Sequence, residues 1–341
     1  MQKVAQSDIQ TGDIAVSLTN VTKEFIQWQR SGQLRDILKN MLRPQQRVVT
    51  ALNDVSLTIR KGEFAAYAGA NGAGKSTTIK ILSGIMQPTR GEVRVLGMSP
   101  EKNRVAQMKR LGVVFGQRTE LWWDHPVTSS FQWKKAVWDI SNGDYQERVE
   151  LITELLGMKD LMNTFARELS LGQRMRADLG LMLLHQPELI FLDEPTLGLD
   201  VLAKRQMIDF LKLINKEHGT TIVVTSHDMD DLEEMAQRIV LLSKGEIAFD
   251  GSFGQLRDVA GSFCRIRLTL KNGYVPQLEQ AQLLSADKGV YEYEFDSAQL
   301  PIREMLGQIS CLENIVAVEI SKAPIEKVVA GLYTRWKEQI A

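Results

Sequence analysis

Apolar residues recur along this chain in short runs separated by polar turns. Residues 16–21 and 55–59 alternate apolar and polar positions, the period of a half-buried strand. Nearly continuous apolar runs follow at 64–68, 113–115, 189–192, 222–225 and 239–242, with helix-length segments between them. Short buried strands alternating with helices predict an α/β layer fold around a largely parallel sheet. The stretch 239–250 reads as a hairpin turning at Lys244-Gly245. Beyond Gly261 the pattern changes. Cys264, Ile266, Leu268 and Leu270 alternate with Arg265, Arg267 and Thr269, and Asn272-Gly273 supplies a turn. Strands are expected at 290–295 and 315–320, and helices at 302–309 and 325–340, making a small α+β domain over 261–341. Residues 1–14 are polar, lack an apolar signal core and are expected to form a loose tail.

Composition narrows the classes. With 341 residues and 44% hydrophobic content the chain can bury a large core and form two domains. Forty-one Lys and Arg against 42 Asp and Glu leave a net charge of -1, so no overall nucleic-acid footprint is indicated. The two cysteines, Cys264 and Cys311, are too far apart for a metal-type spacing and suggest a reducing compartment. The richest apolar run, 179–192, is broken by His185, Gln186, Pro187 and Glu188, too short and too polar for a membrane span.

Two motifs carry chemistry. Gly69-Ala70-Asn71-Gly72-Ala73-Gly74-Lys75-Ser76 fits the phosphate-binding pattern G-x-x-x-x-G-K-[ST]. It follows the strand at 64–68 and precedes a helix expected at 77–82, starting with Thr77. Glycines let the backbone wrap a phosphate with its N–H groups pointing inward. Lys75 suits the β- and γ-phosphates of ATP, and Ser76 suits Mg²⁺. The strand at 189–192 delivers Asp193 and Glu194 at its C-terminal end. Asp193 is placed to support Mg²⁺ through water, and Glu194 to polarise the attacking water as general base.

Between these motifs lies Leu169-Ser170-Leu171-Gly172-Gln173-Arg174, which closely resembles the ABC signature. The order of P-loop, Gln117, signature, Asp193-Glu194, Asp200 and His227 resembles the nucleotide-binding domain of ABC transporters. That resemblance implies a P-loop NTPase fold: a RecA-like core, a helical subdomain at 118–178 and an antiparallel β subdomain, together covering 15–255. It implies a head-to-tail dimer holding two ATPs. Lys75 and Ser76 of one subunit hold each ATP, while Ser170, Gly172 and Gln173 of a second ABC ATPase subunit cover its γ-phosphate. Gln117 reaches Mg²⁺ and the attacking water, His227 contacts the γ-phosphate, and Asp200 couples the two sites. Taken singly, His227 could be a surface helix cap and Gln117 an ordinary loop amide, but their positions directly after core strands favour the functional reading. Phe25 is a candidate to stack on adenine, or a core residue. Leu171 stands where the common signature has glycine, and Ala70 where proline is frequent. His227-Asp228-Met229-Asp230-Asp231 has a metal-like look but falls in the family's switch-histidine segment.

Four of the six tryptophans, Trp122, Trp123, Trp133 and Trp138, fall in the first part of the helical subdomain. They serve either a membrane permease that docks there or the local core. Residues 26–49 read as an insertion. Leu34, Ile37, Leu38, Met41 and Leu42 line one helical face and Arg35, Lys39 and Arg43 another, with Pro44 as the stop. Such a helix lies against anionic lipid, the permease or its own domain. The motif set is similar to ATPases of ABC-2-type export systems, which drive separate membrane permeases from the cytoplasmic face. Import remains open, as does a soluble ABC ATPase acting on ribosomes or DNA. The single P-loop and the lack of a long heptad insertion count against that soluble reading.

Overall fold

The computed structural model describes residues 13–28, 46–116, 118–260, 263–271, 278–297, 299–309 and 314–322, and singly 325, 329 and 332. The chain divides into two compact units, Met1–Asp250 and Gly251–Ala341.

The first unit contains two sheets. β1 (Ile14–Trp28), β2 (Gln46–Arg60) and β4 (Arg90–Val95) form an antiparallel sheet in the order β2-β1-β4. β3 (Phe64–Gly69), β5 (Leu111–Phe115), β6 (Leu189–Asp193), β7 (Thr221–Thr225), β8 (Arg238–Ser243) and β9 (Glu246–Ser252) form a second, in the order β5-β6-β7-β3-β8-β9. Strands β5, β6, β7, β3 and β8 run parallel. β3 and β7 are buried throughout, as their largely apolar runs require when both faces are covered. β9 returns beside β8 through Lys244 (φ 50°) and Gly245 (φ 84°), the left-handed pair that a tight hairpin needs.

The helices start where local chemistry permits. α1 (Lys75–Leu82) opens after Gly74. α2 (Arg104–Met108) is a short connector before β5. α3 (Val127–Val137), α4 (Asn142–Leu155) and α5 (Leu171–Leu183) build the helical region. Ser141 caps α4 and Ser170 caps α5. α6 (Val201–His218) is capped by Asp200 and ended by left-handed Gly219, and it buries Met207, Ile208, Phe210, Leu211 and Ile214. α7 (Met229–Met235) begins at Asp228. One core joins the two sheets: Val16, Val21 and Leu52 of the antiparallel sheet pack with Tyr67, Ile79, Phe191 and Leu242.

The second unit opens with α8 (Phe253–Ala260). Its sheet has the order β11-β12-β10-β13, from β10 (Phe263–Leu270), β11 (Ala281–Asp287), β12 (Val290–Asp296) and β13 (Ile315–Lys322). Ile266, Leu268, Tyr291, Tyr293 and Phe295 are buried with Met305 of α9 (Ile302–Gly307). Of the helix expected at 325–340, the described residues Ile325, Val329 and Leu332 are helical and buried, at the spacing of one helical face.

Several local expectations need correction. The first two strands are much longer than 16–21 and 55–59, because each supplies the other's hydrogen-bond edge from Trp28↔Gln46 down to Ile14↔Arg60. Ile14 is therefore strand and not tail. The ends of the 26–49 segment are likewise strand, since Ile26 pairs with Val48 and Gln27 with Arg47. The amphipathic pattern at 34–43 lies outside the described residues. β4, α2 and β11 have no counterpart in the pattern reading. β4 alternates Gly, Glu and Arg with just two buried valines, a weak apolar signal. α1 begins at Lys75, two residues earlier than expected, and α9 ends at Gly307. No helix among the described residues is long and apolar enough to cross a membrane.

Candidate functional site

The P-loop leaves the C-terminal end of β3 and turns into α1. Two glycines are forced by space. A Cβ on Gly69 (φ 155°) would come 2.6 Å from Leu242 O, and one on Gly74 (φ 115°) 2.6 Å from Ala51 O. The loop is thus clamped between β8 and β2, while Ala70, Asn71 and Gly72 at its mouth are exposed. Ala73 is buried, and Ser76 and Thr77 are half-buried at the head of α1. Lys75 Nζ donates to Gly69 O at 2.7 Å and to Ala70 O at 3.4 Å, so the cation already lies inside the loop. Burial holds its pKa below the ordinary lysine value, with Glu194 and Asp193 pulling it back up. A buried cation in a loop whose Gly69 and Gly74 leave no room for a Cβ fits a phosphate.

Asp193 and Glu194 leave β6 beside β7. Thr225 Oγ1 donates to Asp193 Oδ1 at 2.7 Å and accepts from Glu194 N at 3.1 Å, one hydroxyl orienting both acidic residues. Sequence reasoning missed Thr225; its only signal was the hydroxyl closing the apolar run 222–224. Glu194 sits at φ 59°, a left-handed position that a β-substituted residue rarely adopts and one common where chemistry fixes the backbone. Its Oε2 accepts from His227 N at 3.1 Å, and its Oε1 lies 3.1 Å from His227 Nε2. Burial raises the Glu194 pKa above the usual carboxylate value, against the pull of His227 and Lys75. The structure therefore brings Lys75, Asp193, Glu194 and His227 together. Among the described residues no cluster of three or more His, Cys, Asp or Glu forms a ready metal site, so Asp228, Asp230 and Asp231 make no such cluster with His227. Asp228 and Asp231 instead flank Lys204 at 2.7 and 3.0 Å.

Gly116 N donates to Asp193 O at 2.7 Å, so the chain leaves β5 directly beside the carboxylates. Gln117 is the next residue and lies outside the described residues. Phe25 is half-buried on β1, with the Lys23 ammonium 5.2 Å from its ring centroid, and it is not among the buried core residues. Its strand neighbours tie it to the P-loop: Lys23 pairs with Leu52, whose side chain presses on Gly74.

The signature segment begins α5. Ser170 Oγ accepts from Gln173 N at 3.2 Å, and Gln173 Oε1 accepts from Ser170 N at 2.9 Å, a closed capping box. Leu171 is partly exposed, with its Cδ2 in the space that a Cβ on Gly198 would need. Gly172 faces Ala203 and Leu199, close to Asp200, which accepts from Ala203 N at 2.8 Å. Ser170, Gly172, Gln173 and Asp200 thus form one surface at the adjoining ends of α5 and α6.

Trp122, Trp123 and Trp133 are 40%, 47% and 41% exposed, whereas Trp138 is half-buried and stacks on His185 at 5.0 Å. Trp122 and Trp133 touch at 5.8 Å, and the Arg174 guanidinium covers Trp123 at 4.8 Å. Core packing therefore accounts for Trp138 and leaves the other three at the surface.

Asp178 on α5 is a buried carboxylate that sequence reading did not single out. Its Oδ1 accepts from Thr119 Oγ1 at 2.9 Å and from Glu120 N at 3.0 Å. Burial pushes its pKa up to about 6, with the two hydrogen bonds opposing, the Glu120 carboxylate adding to the rise and Arg174 offsetting it. The folded chain then keeps a proton that the unfolded chain loses near the ordinary value. This contribution to stability is complete below that value and is lost as pH rises through about 6. Asp178→Asn should therefore gain in melting temperature relative to the native chain between pH 4.5 and pH 8. The relative gain is about 3 kcal/mol at most. A difference that stays flat across that range would contradict the buried charge.

The family model described as ABC transporter matches residues 52–197. The ABC transporter ATP-binding protein YhcH of Bacillus subtilis, itself uncharacterized, is 34% identical over 215 residues, 63% of this chain and 68% of the relative. An ABC transporter ATP-binding protein of Clostridium acetobutylicum is 32% identical over 267 residues, 78% of this chain and 92% of the relative. A solved dimeric ATP-binding cassette in a post-hydrolysis state, bound to ADP and Pi, superposes with a TM-score of 0.58 at 26% identity, covering 70% of this chain and 98% of that one.

Proposed function

Since the chain belongs to the ABC transporter ATP-binding proteins and as such is an ATP-hydrolysing subunit, we propose that it drives export through separate membrane permease subunits. In this reading it works as a dimer on the cytoplasmic face of the membrane, as the motor of an ABC-2-type system. Residues 15–255 act as the ATPase domain and 261–341 as an accessory domain. The observation that carries the permease reading is the exposed cluster of Trp122, Trp123 and Trp133, since aromatic side chains at a surface suit a protein interface.

In this mechanism the P-loop amides and Lys75 hold the phosphates of ATP, with Lys75 exchanging its bonds to Gly69 O and Ala70 O for phosphate oxygens. Phe25 stacks on the adenine. Ser76, Asp193 and Gln117 hold Mg²⁺, which when bound neutralises charge on the phosphate oxygens. Glu194, its pKa raised above the usual carboxylate value by burial, takes the proton of the attacking water. His227 holds Glu194 in place through its backbone N–H and faces the γ-phosphate. Ser170, Gly172 and Gln173 of a second copy close over that phosphate, and Asp200 passes the closure to the other site. The capping box supports this reading: each side chain satisfies the other residue's backbone N–H, and an anion arriving at this helix N-terminus takes over those donors. ATP binding closes the dimer and hydrolysis reopens it.

Purifying the Glu194→Gln chain from native membranes with ATP tests the assignment. Integral membrane subunits in stoichiometric amount are expected. Ribosomes or nucleic acid with no membrane subunit would replace the transport reading with a soluble one.

A further inference from the structure

The described residues on either side of Gln117 are each fastened. At one end Gly116 N donates to Asp193 O at 2.7 Å. At the other, Thr119 Oγ1 and Glu120 N both donate to Asp178 Oδ1, at 2.9 and 3.0 Å. Only Gln117 and Arg118 lie between these anchors, and Arg118 N is itself bonded to Phe115 O at 2.8 Å. Asp178 stands on α5, eight residues beyond Ser170, or about 12 Å along the helix axis. The residues after Thr119 are held by the same helical region. Glu120 pairs with Lys134 of α3, Trp122 N donates to Ser130 Oγ at 2.9 Å, and Trp123 lies under Arg174, one turn before Asp178 on α5.

A carboxylate is a costly way to fill this place. Asp178 is 8% exposed, and the nearby Glu120 carboxylate repels its charge. An apolar residue would pack there without that penalty but would leave a hydroxyl and a backbone N–H without their acceptor.

We propose that Asp178 is a positioning residue for ATP hydrolysis, fixing the loop behind Gln117 to the helix headed by Ser170. The proposal rests on the reading of Gln117 given above. Displacing a reacting or orienting group by about 1 Å costs up to 10²-fold in rate, so the tie acts on turnover more than on binding.

The experiment is steady-state ATP hydrolysis by the full chain carrying Asp178→Ala, Asp178→Asn, Thr119→Val or the Ala/Val pair, with each melting temperature measured alongside. Asp178→Ala is expected to lower kcat by about tenfold with KM for ATP within about twofold, because the P-loop is untouched. Asp178→Asn restores most of kcat, since an amide oxygen accepts both bonds. Thr119→Val has a smaller effect and adds little to Asp178→Ala, the signature of one shared contact. A well-folded Asp178→Ala with native kcat overturns the proposal, and so does an Asn variant as slow as Ala. Should Asp178→Ala fail to fold, native kcat in Thr119→Val overturns it instead. Failure of the underlying reading of Gln117 looks different: Gln117→Ala would then hydrolyse ATP at the native rate.

Discussion

Replacing Glu194 by glutamine should lower ATP turnover by about 10²- to 10⁴-fold while ATP still binds. The side chains have the same size, and the amide oxygen can keep the bond from His227 N, 3.1 Å from Glu194 Oε2 in the native chain. Thr225 still fixes the backbone at Glu194 through its carbonyl and hydroxyl, both 3.1 Å from Glu194 N. What disappears is the capacity to accept a proton, which burial had tuned upward in the native carboxylate. The closed, ATP-bound dimer should therefore accumulate, visible as a doubled mass in light scattering with ATP but not with ADP. Turnover at the native rate would remove Glu194 from the role of base and return it to a strand-end carboxylate.

Lys75→Ala should act earlier, on binding. Its ammonium is buried in the P-loop and already bonded to Gly69 O and Ala70 O. A charge-assisted bond to phosphate contributes about 1.5–3 kcal/mol, so ATP affinity should fall roughly 10- to 100-fold. Titration calorimetry with ATP measures it directly. The fold should survive, because the loop is shaped by Gly69 against Leu242 and Gly74 against Ala51, contacts that do not involve the lysine. Unchanged affinity would mean that the loop is a strand–helix turn with no phosphate to hold.

The two variants separate the steps of the cycle. One binds and stalls, and the other fails to bind. Together they distinguish a defect in the P-loop from one at the end of β6, which lies across the sheet beyond β7.

Sequence alone determined the parts of this protein whose physics is local. The P-loop was legible because its glycines answer a backbone demand within eight residues, and Gly69 and Gly74 do sit where no Cβ fits. The buried strands β3, β6 and β7 were legible because a strand covered on both faces must be apolar along its whole length. Asp193 and Glu194 followed from where β6 ends. The signature segment was legible as a resemblance, and its capping box was written in Ser170 and Gln173.

Tertiary structure decided the rest, because it depends on partners far away in the chain. The full length of β1 and β2 comes from pairing each with the other, so alternation within either strand understated both. β4 shows little apolar character, and its place was set by β1. Thr225 bridges two acidic residues 31 and 32 positions earlier in the chain, and Asp178 holds residues 58 and 59 positions away. A hydroxyl ending a strand or a lone aspartate in a helix carries no periodic signal. Only packing removed water from these groups, and a buried acceptor must then find its donors inside the protein.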